Sequence, residues 1–375
     1  MRASFLPLAR PSVGREEERE VIDTLRSGWL STGPKVARFE SDLAAATQAA
    51  HVVALNSCTA ALHLALLASG IGPGDEVVVP AITFPATANA ILHCGATPRV
   101  VDVEAGTLNL DPAALSAAIS SRCRAVIPVH MAGQPAEMDA IISIAAERGV
   151  LVIDDAAHAA GATIGGRPIG GDARTAATCF SFHAAKNVTT GEGGALLTAH
   201  RDLADRVRLL GNHGLDQDSW ARRDGVGDWV PVASGFKYNL TDIAASIGIH
   251  QLRRLDGEID RRQALAQHYR GRLADSPVVP LDVRGGRRHA WQLFVVVLPV
   301  DWERGVTRRR LRDANVGSGV HFPALQGHQV YRERCVFEPL PVADQLSSRL
   351  VSLPMFGQMT EGDVDDVVVA LAGAV

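Results

Sequence analysis

Short β-branched runs alternate with stretches of helical spacing through the first two thirds of the chain, and nothing else in the sequence limits the possible folds so sharply. Seven runs read as strands: His51 to Leu55, Glu76 to Val79, Arg99 to Val103, Ala125 to Val129, Val150 to Ile153, Thr178 to Phe182 and Ala195 to Thr198, each bounded by Gly, Pro, Asp or Asn turn signals. The segments between them read as helices. Asp111-Pro112 marks a helix start, an N-cap followed by proline at the first helical position, and 136–148 carries apolar residues at helical spacing until Gly149 stops it. This order of elements predicts an α/β protein whose mainly parallel, seven-stranded sheet lies between helices.

The pattern changes at Thr241-Asp242, which opens a long helix running through Leu252, Leu255, Ile259 and Leu265 toward Leu273. Beyond it come a strand (Trp291 to Leu298), a helix from about Thr307 to Asn315 and a closing helix near Thr360 to Leu371, enough for a smaller α+β domain. A chain of 375 residues with 47% hydrophobic content can bury two such cores. The expected organisation is an N-terminal arm over 1–14, a large domain over 15–245 and a small C-terminal domain over 246–375.

Charge and cysteine usage exclude several classes of function. The 41 acids and 37 bases are spread along the chain without a long run of one sign, so neither nucleic acid nor a membrane surface is an expected partner. Cys58, Cys94, Cys123, Cys179 and Cys335 are odd in number and widely spaced, with no C-x-x-C pair, which argues against a disulfide framework and against a zinc site. No apolar run approaches the ~20 residues that span a bilayer. The chain is expected to be soluble, unprocessed and cytoplasmic, with no metal.

In an open parallel sheet, ligands bind beyond the carboxyl ends of the strands. After the strand ending at Leu55 come Asn56-Ser57-Cys58-Thr59-Ala60-Ala61, small residues opening a helix whose first N–H groups can hold a phosphate; plain capping by Ser57 or Thr59 is the alternative. After Ile153 stand Asp154 and Asp155. Side chains alternate along a strand, so at most one of the two faces a given site, and an acid–base pair of the glycosidase kind is excluded. Ser181-Phe182-His183-Ala184-Ala185-Lys186-Asn187 places a lysine among apolar and small residues between two strands. A buried ammonium tends to lose its proton, and an imine-forming amine needs that; a snorkelling surface lysine is the alternative. Gly191, Gly193 and Gly194 then signal a tight turn or a close backbone approach to a ligand. Neither the Walker order of residues nor a G-x-G-x-x-G after an early strand is present, which excludes those two nucleotide sites.

Taken in order, these segments resemble the DegT/DnrJ/EryC1/StrS family of sugar aminotransferases, of the aspartate-aminotransferase fold (fold type I). The resemblance runs over nearly the whole chain: Ser27-Gly28-Trp29-Leu30-Ser31-Thr32-Gly33-Pro34, then Gly72-Pro73-Gly74-Asp75-Glu76-Val77 into Pro80-Ala81-Ile82-Thr83-Phe84, Asp154-Asp155-Ala156-Ala157-His158 and Phe180 through Gly194. It continues in Gly235-Phe236-Lys237-Tyr238-Asn239, Gly319-Val320-His321-Phe322 and Leu353-Pro354. The ordered set is specific, although each short motif alone is weak.

The resemblance implies a pyridoxal 5'-phosphate enzyme that passes through pyridoxamine 5'-phosphate, with the 15–245 domain as cofactor-binding domain. It implies that Lys186 anchors the cofactor covalently and moves the proton, that Asp155 pairs with the pyridine nitrogen, that His158 lies near the ring's 3'-oxygen and that Phe84 stacks on the ring. Thr59, Ala60 and Ser181 would hold the phosphate, and Asn239, with Lys237, would reach the phosphate of a neighbouring subunit in a homodimer. Many relatives carry asparagine where this chain has Lys237. One branch replaces the anchoring lysine by histidine and dehydrates its sugar; Lys186 is intact here, which favours transamination. His183 and His321 match positions at the substrate end, as contacts or as supporting histidines.

The implied reaction moves an amino group from an amino acid, L-glutamate by resemblance, to a nucleotide-linked keto sugar, with C4 favoured by the Phe-His-Ala-Ala-Lys and Asp-Ala-Ala-His contexts. A cyclitol aminotransferase is the alternative, and a non-catalytic regulator or scaffold of the same fold is the reading from another class. Arg222, Arg223 and Arg284 are candidates for a sugar-nucleotide diphosphate, against solvated surface arginines.

Overall fold

The computed structural model describes residues 2–217, 220, 223 and 228–373. Its strands, in chain order, are β1 (His51–Leu55), β2 (Glu76–Pro80), β3 (Thr97–Val101), β4 (Cys123–Val126), β5 (Leu151–Asp155), β6 (Thr163–Ile164), β7 (Arg167–Pro168), β8 (Ala177–Ser181), β9 (Gly194–Thr198), β10 (Val279–Pro280), β11 (Arg287–Arg288), β12 (Phe294–Val297), β13 (Val336–Phe337) and β14 (Leu350–Leu353). The main sheet runs β1-β9-β8-β5-β4-β2-β3-β13. From β8 to β13 all neighbours are parallel, whereas β9 lies antiparallel to both β1 and β8. The seven expected strands are all present, shifted by one to three residues at several ends. An eighth, β13, joins from the C-terminal part of the chain, a pairing that no local pattern in a two-residue strand announces.

Helices α1 (Arg15–Ser27), α2 (Pro34–Thr47), α3 (Cys58–Ala68), α4 (Pro85–His93), α5 (Pro112–Ala118), α6 (Met138–Glu147) and α7 (Arg201–Gly211) accompany this sheet. Nine of the eleven residues of α3 are buried, which is why it is apolar all round rather than striped. It packs against β8 and β9 on one side and α4 and α7 on the other. Asp111 caps α5 by accepting the Ala113 N–H, with Pro112 at the first helical position as its sequence requires.

Thr241 caps α8 (Asp242–Arg272), its hydroxyl accepting the Ala244 N–H, and the helix then runs 31 residues. Leu255, Ile259, Leu265 and Tyr269 form its buried stripe. The stripe joins two cores: Leu255 and Ile259 pack with the β1, β8 and β9 face, and Leu265 and Tyr269 with the C-terminal layers. The position 245/246 therefore falls in the first turn of α8. The C-terminal layers comprise the antiparallel sheet β10-β12-β14 with α9 (Arg304–Asp313), the short α10 (Gln329–Arg332) and α11 (Pro341–Leu346), and α12 (Glu361–Ala372). The strand expected from Trp291 begins only at Phe294, because Trp291 sits at φ +48° and the chain is bent there. No helix among the described residues is long and apolar enough to cross a membrane.

Candidate active site

The carboxyl edge of the main sheet delivers the site. β5 ends in Asp155 and β8 ends in Ser181, while β1 leads into α3. Because β9 is antiparallel, its first residue, Gly194, arrives at the same edge, opposite both Leu55 and Ser181. A Cβ on Gly194 would overlap the Ser57 carbonyl carbon and the Cys58 nitrogen, so only glycine lets β9 approach the start of α3 this closely. Gly191, at φ +80°, makes the turn that precedes it.

These elements enclose a cavity of about 320 Å³ into which Lys186, Asp155, His158, Phe84, Thr59, Ser181, His183 and His321 all project. Lys186 as a whole is half-buried, open to the cavity, but protein crowds its amine. Burial pushes that amine down to about 8, against the opposing influence of the Cys58 thiol and Asp155. Asp155 is held by two hydrogen bonds: the Thr87 hydroxyl donates to Oδ2 at 2.7 Å and the Ala157 N–H to Oδ1 at 3.2 Å. Burial raises its pKa above the usual carboxylate value, while those two bonds and Lys186 oppose the rise. Thr83 shares a 2.7 Å hydrogen bond with the Thr87 hydroxyl, extending the chain by one link. Asp154 does face the other way, as strand alternation requires. Its Oδ2 accepts from Thr178 at 3.0 Å, its Oδ1 has no partner, and it does not line the cavity.

His158 is buried and stacked on Phe322, with ring centroids 5.7 Å apart, and burial first, then Lys186, keeps it neutral. Its Nδ1 is a buried atom without a partner. Phe84 is the N-cap residue of α4, 55% exposed, and lines the cavity. His321 shares a 2.8 Å hydrogen bond with Ser352 Oγ, and burial, then Lys186 and Arg308, push it down to about 4. His183 is exposed at the rim; its Nδ1 accepts the Ala185 N–H at 3.2 Å and its Nε2 stands 3.8 Å from Glu192.

One of the residues expected at the site stands differently. Ala60 does not line the cavity, and its N–H is donated to Ser57 Oγ at 3.1 Å, the capping alternative. The start of α3 therefore offers the cavity Cys58 and Thr59 in its place. Lys237 and Asn239, expected to serve a neighbouring subunit, open on a second cavity of about 560 Å³, shared with Ser31, Thr32 and Arg208, and Asn239 Nδ2 donates to Thr32 Oγ1 at 2.7 Å. Neither reaches the Lys186 of its own chain. Among the arginines, Arg284 pairs with Glu104 at 3.3 Å and Glu137 at 3.9 Å and does not line the Lys186 cavity of its own chain. Arg223 stands 4.5 Å over the Trp220 ring, and Arg222 lies outside the described residues.

Several wall residues carry no local signal: Leu8 and Ala9 from the N-terminal arm, Gln292 and Leu293 before β12, and Met355; Leu353, of the Leu353-Pro354 motif, also lines the cavity. Thr83 and Thr87 carried a usable signal, since hydroxyls four apart just beyond a strand end fall on one side of the turn that follows.

The site's contents fit pyridoxal phosphate. A free amine, an apolar ring exposed toward the cavity, a buried carboxylate, an unpartnered histidine nitrogen and a glycine-made cradle at a helix N-terminus are each a group that this cofactor would satisfy. Comparison with known proteins agrees. The model of the DegT/DnrJ/EryC1/StrS aminotransferase family matches residues 11–372. The spore coat polysaccharide biosynthesis protein SpsC of Bacillus subtilis is 45% identical over 384 residues, 99% of this chain and 97% of that protein. The pyridoxamine-phosphate form of Spr1654 from Streptococcus pneumoniae, described as a sugar aminotransferase, superposes with a TM-score of 0.92 at 32% identity over 98% of each chain. The aminotransferase TlmJ of Streptoalloteichus hindustanus gives 0.91 at 30% identity, again over 98% of each chain.

Proposed function

The chain belongs to the DegT/DnrJ/EryC1/StrS aminotransferase family and is a pyridoxal-phosphate-dependent sugar aminotransferase, and from that premise we propose that Lys186, Asp155 and His158 are its catalytic residues. The observation that carries the proposal is the meeting of an amine with a depressed proton affinity and a buried carboxylate in one cavity. Bound pyridoxal phosphate supplies an electron sink for the carbon that loses or gains the proton. Asp155 would hold a proton on the pyridine nitrogen, its own position fixed by Thr87 and Ala157. Lys186, once released from its covalent role, would be tethered where it can carry the proton between the substrate carbon and the cofactor's C4' carbon. His158 would meet the ring's 3'-oxygen, and Phe84 would cover a face of the ring. Thr59, Ser181 and the first N–H groups of α3 would receive the phosphate; the Ala60 N–H would join them only if the Ser57 hydroxyl turned away.

The finer reading is that L-glutamate is the donor and a nucleotide-linked keto sugar, aminated at C4, the acceptor, with His183 and His321 at the substrate end. The place of SpsC in polysaccharide synthesis supports an activated sugar over a cyclitol. We further propose a cytoplasmic homodimer in which Asn239 and Lys237 serve the phosphate of the partner's site, supported by their position in a separate surface cavity. An arm over 1–14, a cofactor domain over 15–245 and a small domain over 246–375 complete this reading. Borohydride reduction of the holoenzyme followed by peptide mass analysis tests its centre: a pyridoxyl group is expected on Lys186, and its appearance on another lysine, or on none, overturns the assignment. A panel of keto sugars and cyclitol ketones offered to the pyridoxamine form then identifies the acceptor by which of them is aminated.

A further inference from the structure

Three hydrogen bonds fasten the loop carrying Lys186 to the segment ahead of β12. Gln292 Nε2 donates to the Ala185 carbonyl at 2.7 Å, the Asn187 N–H donates to Gln292 Oε1 at 2.9 Å, and Asn187 Nδ2 donates to the Ala290 carbonyl at 2.7 Å. One primary amide thus holds the carbonyl just before Lys186 and the N–H just after it. Gln292 is 4% exposed, so neither bond has water as a ready substitute.

The clamp is itself anchored. Trp291 is held at φ +48°, its carbonyl accepting from the buried Arg262 guanidinium at 3.1 Å, and the same nitrogen donates to the Met355 carbonyl at 3.1 Å. The Leu293 N–H donates to the Ala132 carbonyl at 3.2 Å and the Ala290 N–H to the Gly133 carbonyl at 2.9 Å. A leucine at 292 would supply comparable apolar bulk, so packing alone does not ask for an amide there. What an amide adds is one donor and one acceptor in a fixed fork, matched to the two peptide groups that flank the lysine.

We infer that Gln292 is a positioning residue for Lys186: its side-chain amide fixes both flanking peptide groups and so sets where the lysine amine stands relative to Asp155 and the start of α3. The lysine side chain is a long stem of freely rotating bonds, and an amine that must reach one atom on a bound ring depends on a rigid base for that stem. The inference rests on Lys186 being the covalent anchor. Gln292 acts only through the lysine.

The test uses the full-length protein and two variants, Gln292→Leu and Gln292→Glu. In cofactor-free protein, hydrogen exchange at the Asn187 amide reads the clamp directly. In protein mixed with pyridoxal phosphate, the rate at which borohydride-trapped pyridoxyl accumulates on Lys186 reads the placement of the amine. For Gln292→Leu, which removes both bonds of the clamp, we expect exchange at Asn187 to rise and the trapping rate to fall together, each by at least about tenfold. Gln292→Glu keeps the acceptor and, when protonated, the donor as well. Trapping in this variant, measured against wild type at the same pH, should approach wild type at low pH and fall away as pH rises, a signature that a purely structural residue would not give. The glutamate variant also carries the test should the leucine variant fail to fold. Wild-type trapping in Gln292→Leu, or a Gln292→Glu trapping ratio independent of pH, overturns the inference. Absence of a pyridoxyl group on Lys186 in the wild-type protein would instead refute the anchor assignment, and exchange at Asn187 would still report whether the clamp exists.

Discussion

Asp154 and Asp155 are adjacent in sequence, and one strand sends them to opposite faces. Asp155 meets a hydroxyl and an N–H beside Lys186, whereas Asp154 is buried with one oxygen unpartnered and is pushed up to about 7 by burial, with Asp172 and Asp155 adding to the rise. The two therefore respond differently to mutation. Asp155→Asn should retain cofactor but slow both half-reactions by at least about a hundredfold in single-turnover kinetics, the scale of a lost acid–base partner. Thr87→Val, which removes one of its two hydrogen bonds, should slow them less, and Thr87→Ser should recover most of the loss. Asp154 concerns stability instead. Its folded pKa lies above the unfolded value near 3.8, so the folded state binds the extra proton: this contribution is complete below about pH 4 and is lost as pH rises through about 7. Asp154→Asn should accordingly be more stable than wild type at pH 8, by up to a few kcal/mol, with little difference at pH 4 where the protein remains folded. Urea unfolding across that pH range measures it, and an unchanged pH dependence would refute it.

At the scale of elements, the site depends on where β9 and α3 meet. The direction of β9 brings Gly194 to the edge where β5 and β8 end, and the missing Cβ lets the α3 N-terminus lie against it. Gly194→Ala should lower stability by about 1–3 kcal/mol through overpacking and weaken cofactor retention, seen as a lower midpoint in thermal unfolding and as pyridoxal phosphate lost on dialysis. Retention equal to wild type would show that the cradle is formed elsewhere. The helix starts were legible because caps are local: Asp111 and Thr241 both make the bonds their positions suggest. Ser57 is the instructive case. A residue that caps a helix and a residue that frees the helix terminus for a phosphate share the same sequence pattern, and only the geometry shows the Ala60 N–H already taken.

At the scale of the whole molecule, two cavities separate Lys186 from the residues expected to serve a partner's site. Lys186 lies in one, Asn239 and Lys237 in the other, and a single chain cannot bring them into contact. In a symmetric dimer the second cavity of one protomer can face the first cavity of its partner. Mixing Lys186→Ala subunits with Asn239→Ala subunits tests this. In each mixed dimer one site would carry both lesions and the other none, so an equal mixture should recover about a quarter of wild-type activity from two weakly active parents, as statistical pairing under twofold symmetry requires. No recovery after confirmed subunit exchange would place Asn239 in its own chain's chemistry or in none.

The sequence by itself determined the strand–helix alternation, the long helix from Thr241 and the opposite facing of Asp154 and Asp155, because each follows from a period or a cap spanning a few residues; the choice of Asp155 came from the resemblance. It also placed Lys186 in a setting that disfavours its charge. Only the tertiary structure decided that Gln292 would grip the peptides around that lysine, that Leu8 would wall the cavity and that β13 would extend the sheet. Those contacts join segments more than a hundred residues apart, and nothing local to either partner encodes the distance between them.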